Sequence, residues 1–169
     1  EATNWVRDLV NEPANVVNSE YMEKMAKQVA SQYSSVKLKV LNKAELEKEG
    51  MGALLGVNAG SKNPPKLVIL EYTGSKKGKH TALLGKGITF DSGGLNLKSR
   101  DQEFMKIDMA GAASVIGVFE ALAVLKPKIQ VEGFIASCEN MPSGSATRPG
   151  DIITTRAGTT VEVINTDAE

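Results

Sequence analysis

Apolar and polar positions change period several times along the chain, and each change predicts an element. Residues 36–42 (VKLKVLN) alternate strictly, the period of a strand with one face buried. Residues 66–74 (KLVILEYTG), 81–90 (TALLGKGITF) and 128–140 (KIQVEGFIASCEN) are denser in apolar side chains and predict strands buried more deeply. Helical spacing covers residues 2–12 up to Pro13, and residues 18–33, where Asn18 or Ser19 is the N-cap and Glu20 and Glu23 fall in the first turn. Residues 43–50 predict a short helix closed by Gly50. Residues 51–61 (MGALLGVNAGS) predict a further strand before the turn signal Ser61-Lys-Asn-Pro-Pro65. A loop over 74–80, one long helix over 104–125, a loop over 141–151 and a hairpin over 151–165 turning at Ala157-Gly158 complete the chain. Strands and helices interleave, so the predicted class is α/β, a mixed β-sheet sandwiched between helices in three αβα layers.

Composition narrows the field a little. At 169 residues the chain is long enough to bury a core, and 41% apolar with 24% charged residues is ordinary for a globular protein. Twenty basic and twenty acidic residues cancel, so charge points to neither nucleic acid nor a membrane surface. Cys138 has no second cysteine to pair with, which fits a reducing compartment and a buried small residue. The apolar stretch 109–125 is interrupted by Ser114, Gly111, Gly117 and Glu120 and predicts a core helix. Trp5 predicts a packing anchor for the first helix, and His80 with Lys76, Lys77 and Lys79 a solvated loop.

Several chemistries drop out quickly. Both Gly-Lys pairs lack the upstream glycine of a phosphate loop, and a dinucleotide fingerprint starting at Gly85 fails at Phe90. A single histidine does not suit a histidine-rich zinc site or a Ser-His-Asp triad. What stands out is a set of charges in costly places. Asp108 falls on the stripe formed by Met105, Ala112, Val115, Ile116, Phe119 and Ala123, where a carboxylate must be paired, hydrogen-bonded or metal-bound. An ordinary acid of a first helical turn is the competing reading. Asp91 ends an apolar strand before Ser-Gly-Gly, where ligands sit in α/β sheets, or it is a turn aspartate bonding its own backbone. Lys86 stands between two glycines at a strand end; it is either a lysine reaching for solvent or a desolvated amine beside cations. Asp167 and Glu169 are two apart and face one way if the hairpin strand continues. Lys98 alone reads as a loop cation.

The blocks GKGITFDSGG, LK, FMKIDMAGAA, CENMPSG, RPGD and NTDAE, in this order, closely resemble the leucyl aminopeptidase family, the two-metal cytosolic exopeptidases. The resemblance starts near Asn11-Glu-Pro-Ala-Asn15 and reaches the last residue. It implies that residues 1–169 are a single partial peptidase domain, the first part of the catalytic domain, with the family's N-terminal domain and the rest of the catalytic domain lying outside this sequence.

The resemblance further implies that Lys86, Asp91, Asp108 and Glu169 hold a tighter metal. Asp91, Asp167 and Glu169, with the main-chain carbonyl of Asp167, would hold a more exchangeable one. Zinc is the expected ion, with manganese or magnesium as candidates at the exchangeable position. Lys98 would be the catalytic cation on the scissile carbonyl, Met105 a wall of the substrate pocket, and Asn165 a residue behind the ligands. The implied reaction releases N-terminal residues, leucine-type foremost, from peptides with a free N-terminus. A bicarbonate ion, anchored in the family by an arginine two residues after the last glutamate, serves as base. A cytoplasmic homohexamer without membrane or nucleic-acid partners is the implied setting for the full-length protein. The fragment by itself is expected to be inactive. The rival class is a non-catalytic fragment, or a structural or DNA-binding regulatory member of the same family.

Overall fold

The computed structural model describes residues 2–75 and 80–169. Four strands, β1 (Val36–Leu41), β2 (Lys66–Thr73), β3 (His80–Asp91) and β4 (Gln130–Asn140), form one mixed sheet in the order β1-β2-β4-β3. β1, β2 and β4 pair antiparallel, whereas β3 lies parallel to β4 at the edge. A parallel pair needs a crossover, and α5 (Ala110–Leu125) supplies it. Helices α1 (Ala2–Asn11) and α2 (Ser19–Gln32) join α5 over one face. The smaller α3 (Lys43–Lys48) and α4 (Gly52–Val57) lie against the sheet without joining that group. The predicted α/β class with a mixed sheet between helices is what the chain adopts.

The core fills the space between the sheet and α1, α2 and α5. Met22, Leu70, Ile116, Phe119 and Ile135 are fully buried there, and Trp5 packs at its margin as expected of an anchor. The side chain of Asn18 caps α2 by accepting from the Tyr21 amide at 3.0 Å. Gly50, at φ +67°, ends the turn after α3 in a conformation that suits glycine. Lys66, although only 8% exposed, is satisfied by Glu23 at 2.8 Å and the Asn42 side chain at 2.7 Å.

Three elements differ from expectation. Residues 51–61 fold as α4 and a 3₁₀ turn (Asn58–Gly60), not as a strand. A short apolar run has no period of its own, and Ala-Leu-Leu at its centre favours helix despite the flanking glycines. Gly52 seats that helix against the carbonyl oxygen of Thr154, which a Cβ would meet at 2.1 Å. Secondly, the helix predicted over 104–125 is broken. A 3₁₀ segment (Gln102–Ile107) precedes α5, and Asp108 and Met109 lie at the junction. Asp108 is therefore not on the helical stripe, although Ala112, Val115, Ile116, Phe119 and Ala123 do form its buried face. By length and composition residues 102–125 could cross a membrane, yet α5 packs that face against the sheet. Thirdly, the hairpin is short, β5 (Ile152–Thr154) with β6 (Thr160–Glu162), and the last residues turn instead of extending. The predicted turn holds, with Gly158 at φ +83°.

His80 is not in a loop: it begins β3, with Nε2 3.3 Å from Glu132. Lys76, Lys77 and Lys79 lie outside the described residues.

Candidate metal centre

β3 carries two of the expected ligands. Gly85 answers part of why glycines flank Lys86. A Cβ at Gly85 would lie 2.7 Å from the Ala112 Cα and 2.8 Å from the Gly111 carbonyl, so α5 sits directly on the strand. Pairing with β4 then slips between Ile88 and Asp91: Ile88 faces Cys138 and Asp91 faces Asn140, leaving one extra residue in β3. Side chains five positions apart in a regular strand point to opposite faces, and the extra residue re-aims Asp91 toward Lys86. Both lie toward the carboxyl ends of the parallel pair, the usual place for a ligand site.

Asp91, Asp108 and Glu169 each offer a carboxylate oxygen to one point, the three atoms all within 4.8 Å of one another. Lys86 Nζ joins them, 2.6 Å from Glu169 Oε1 and 3.2 Å from Asp108 Oδ2. The Glu169 side chain is buried. Asp108 Oδ2 is buried and makes no hydrogen bond among the described residues; Lys86 is within ion-pair range at an unsuitable angle. Burial foremost raises the Asp108 pKa, Asp91 and Glu169 adding to the rise while Lys86 opposes it. Three clustered carboxylates, one with a buried oxygen whose only close partner among the described residues is the Lys86 ammonium, are the donor set of a hard or borderline cation, and a divalent ion fits them. The competing reading of Asp108, an acid served by free helical amides, does not describe that oxygen.

Lys86 is half exposed, so it is not withdrawn from water. Burial pulls its ammonium downward, but the hydrogen bond to Glu169 and the charges of Glu169 and Asp108 outweigh this and hold its pKa above the usual 10.5. Surrounded by carboxylates, it is a counter-ion.

Lys98 forms a second focus. Its Nζ lies 2.8 Å from Asp91 Oδ2 and also donates to Asp167 Oδ1. Hydrogen bonds to Asp167 and Asp91 raise its pKa well above the usual lysine value. Asp167 thus meets Asp91 through Lys98 and lies outside the three-carboxylate group. Asp167 and Glu169 part because the chain turns: each goes to its own lysine. Asn165 Oδ1 accepts from the Asp167 amide at 2.8 Å and fixes that turn. Met105, half-buried in the 3₁₀ segment, accepts at its carbonyl from the Asp108 amide at 3.4 Å. It lines neither of the two larger cavities, of about 420 and 390 Å³. Cys138 is buried, its thiol pushed up to about 12 chiefly by burial, and so is inert.

Sequence reasoning missed the amides behind these ligands. Gly93 N and Asn140 Nδ2 each donate to Asp91 Oδ1 at 2.9 Å. The first of these is the turn bond named as the competing reading of Asp91, and it leaves Asp91 Oδ2 facing Lys98. Thr166 Oγ1 donates to Gly93 O at 2.7 Å, and Asn96 and Thr166 exchange main-chain and side-chain bonds at 2.8 Å. The sequence carried no signal for Asn140, which follows Ser137 and Glu139 in a strand with several polar residues.

The profile of the cytosol aminopeptidase family, catalytic domain, matches residues 4–169. A "Probable cytosol aminopeptidase" of Alkaliphilus metalliredigens is 51% identical over 170 residues, covering 99% of this chain and 34% of that protein. The protein of the same description from Thioalkalivibrio sulfidiphilus is 49% identical over 169 residues, again 99% of this chain and 34% of the relative. That from Azotobacter vinelandii is 51% identical over 165 residues, 96% of this chain and 33% of the relative. The chain thus spans 34% of the length of the first two of these relatives.

Proposed function

The chain belongs to the cytosol aminopeptidase family, and from that premise we propose that it is the metal-holding part of a metallo-aminopeptidase that releases N-terminal residues from peptides. The observation that carries this reading is the convergence of Asp91, Asp108 and Glu169 on one point, with Asp108 Oδ2 buried and without a hydrogen bond. Asp91, Asp108 and Glu169 would hold one divalent ion, zinc foremost, with Lys86 joining them as a neutral amine once the ion displaces its proton. Asp167 with Asp91 and Glu169 would hold a second, at which manganese or magnesium could exchange. Such ions supply Lewis acidity and an activated water for attack on the peptide carbonyl. Asp91 and Glu169 orient the site from two remote segments, and the Asn165 side chain fixes the Asp167 backbone. Lys98 keeps its proton beside Asp91 and Asp167 and is placed to stabilise negative charge developing on the substrate oxygen. Met105, one 3₁₀ turn before Asp108, is proposed as a wall for the first substrate side chain.

Leucine-type preference, bicarbonate as base, the homohexamer and the domains beyond this chain belong to the same reading. So does a cytosolic setting, which the relatives' descriptions support. The test uses the full-length protein and a peptide with a free N-terminus. Stepwise release of N-terminal residues should stop with a strong chelator, return with zinc or manganese, and be lost in Asp108→Asn. Undiminished turnover after chelation and metal removal would sink the proposal.

A further inference from the structure

Asn140 touches neither Lys86, Asp108 nor Glu169 through its amide nitrogen, yet it sits where the two halves of the centre meet. It ends β4 directly opposite Asp91 and is only 4% exposed. Its Nδ2 carries two protons, and each has a partner: Asp91 Oδ1 at 2.9 Å and the main-chain carbonyl of Thr166 at 2.8 Å. The first partner belongs to the strand that carries Lys86 and Asp91. The second belongs to the turn that carries Asp167 and leads to Glu169. The main chain of Asn140 is engaged too, its carbonyl accepting from Ser92 N at 2.9 Å and Ser92 Oγ at 2.6 Å. On the side-chain oxygen, Gly94 at φ +64° comes so close that a Cβ there would meet Oδ1 at 2.7 Å. A primary amide supplies the two protons that these two acceptors need, whereas a hydroxyl has one proton for two acceptors.

We propose that Asn140 is a positioning residue of the metal centre: its amide ties Asp91 to the Thr166 main chain and so sets the spacing of the β3 carboxylate from the turn bearing Asp167 and Glu169. This rests on the metal reading above. With the amide gone, Asp91 Oδ1 keeps only the Gly93 amide, and the Thr166 carbonyl is left buried without that donor. The turn loses one of its ties to the sheet, and the carboxylates no longer start from a fixed distance. Partners behind metal ligands are worth about 10–100-fold in metal affinity when removed.

The test compares full-length wild type, Asn140→Leu and Tyr72→Phe, each stripped of metal and titrated with zinc alone against a chromophoric chelator. Tyr72→Phe removes a part-buried bond remote from the site, Tyr72 Oη to the Pro127 carbonyl at 3.0 Å, and serves as control for stability. The expected result is zinc affinity about 10–100-fold weaker in Asn140→Leu and unchanged in Tyr72→Phe. Thermal midpoints of the metal-free variants, measured alongside, separate the loss of affinity from loss of fold. Should Asn140→Leu fail to fold, Asn140→Ala takes its place with the same expectation. Zinc bound equally by wild type and the Asn140 variant would overturn this inference alone. A wild type that takes up no zinc would overturn the metal reading and this inference with it.

Discussion

Lys86 Nζ and Glu169 Oε1, 83 positions apart in the chain, meet at 2.6 Å. Lys98 makes the matching contact to Asp167, so the terminal turn is held by one lysine at each carboxylate. Both lysines have pKa values raised above the usual 10.5. The folded state then binds these protons more tightly than the unfolded chain does. Their stabilisation is complete below 10.5 and is lost as pH rises through the folded values. Thermal midpoints of the metal-free, full-length protein should fall once the pH passes 10.5, and fall less in Lys86→Met/Lys98→Met. An identical alkaline decline in the double variant would show that these pairs do not hold the turn.

Lys98→Met separates charge stabilisation from metal holding. The Asp91 side chain is 4% exposed, and losing Lys98 leaves it short of its cation. The metal-free protein should lose about 3 kcal/mol, the low end for a buried pair broken from one side. Bound metal should stay near wild type while kcat falls about 10²–10³-fold, as for other groups that stabilise a developing oxyanion. Metal content falling in step with activity would make Lys98 a ligand instead.

Gly85→Ala should act through the helix packed on the strand, next to Lys86. The added Cβ meets three backbone atoms of Gly111 and Ala112 at 2.7–2.9 Å, and backbone cannot swing aside as a side-chain tip can. α5 must lift, at a cost of about 1–3 kcal/mol, and Asp108 just before it moves with it. Zinc affinity should fall along with the thermal midpoint. An unchanged midpoint would mean the helix–strand approach is looser than these distances.

Much of the scaffold was legible because period and burial agree. β1 alternates, and β2 and β4 are buried on the face that the helices cover. Residues 51–61 were misread because a short apolar run suits either period, and the choice was made by packing against a hairpin about a hundred residues later. The break at Asp108 was hidden because a 3₁₀ segment followed by a helix keeps nearly the same apolar spacing. The candidate ligands stood out only as charges in costly positions. Their convergence came from the ordered blocks, since no local rule links residue 86 to 108 and 169. The extra residue in β3 and the amide of Asn140 left no trace, because their partners are atoms of distant segments. Asp167 shows the converse: named as a candidate ligand by family resemblance, it faces Lys98 because the terminal strand gives way to a turn.

That Asp91, Asp108 and Glu169 hold a pair of divalent ions, as proposed above, is tested by anomalous X-ray scattering from crystals of the full-length protein grown with zinc. Two zinc peaks per chain are expected, about 3.5–4 Å apart. One should contact Asp108 and Lys86, and Asp91 and Glu169 should touch both. No peak at these carboxylates, or zinc bound elsewhere while they keep only their lysine partners, would contradict it.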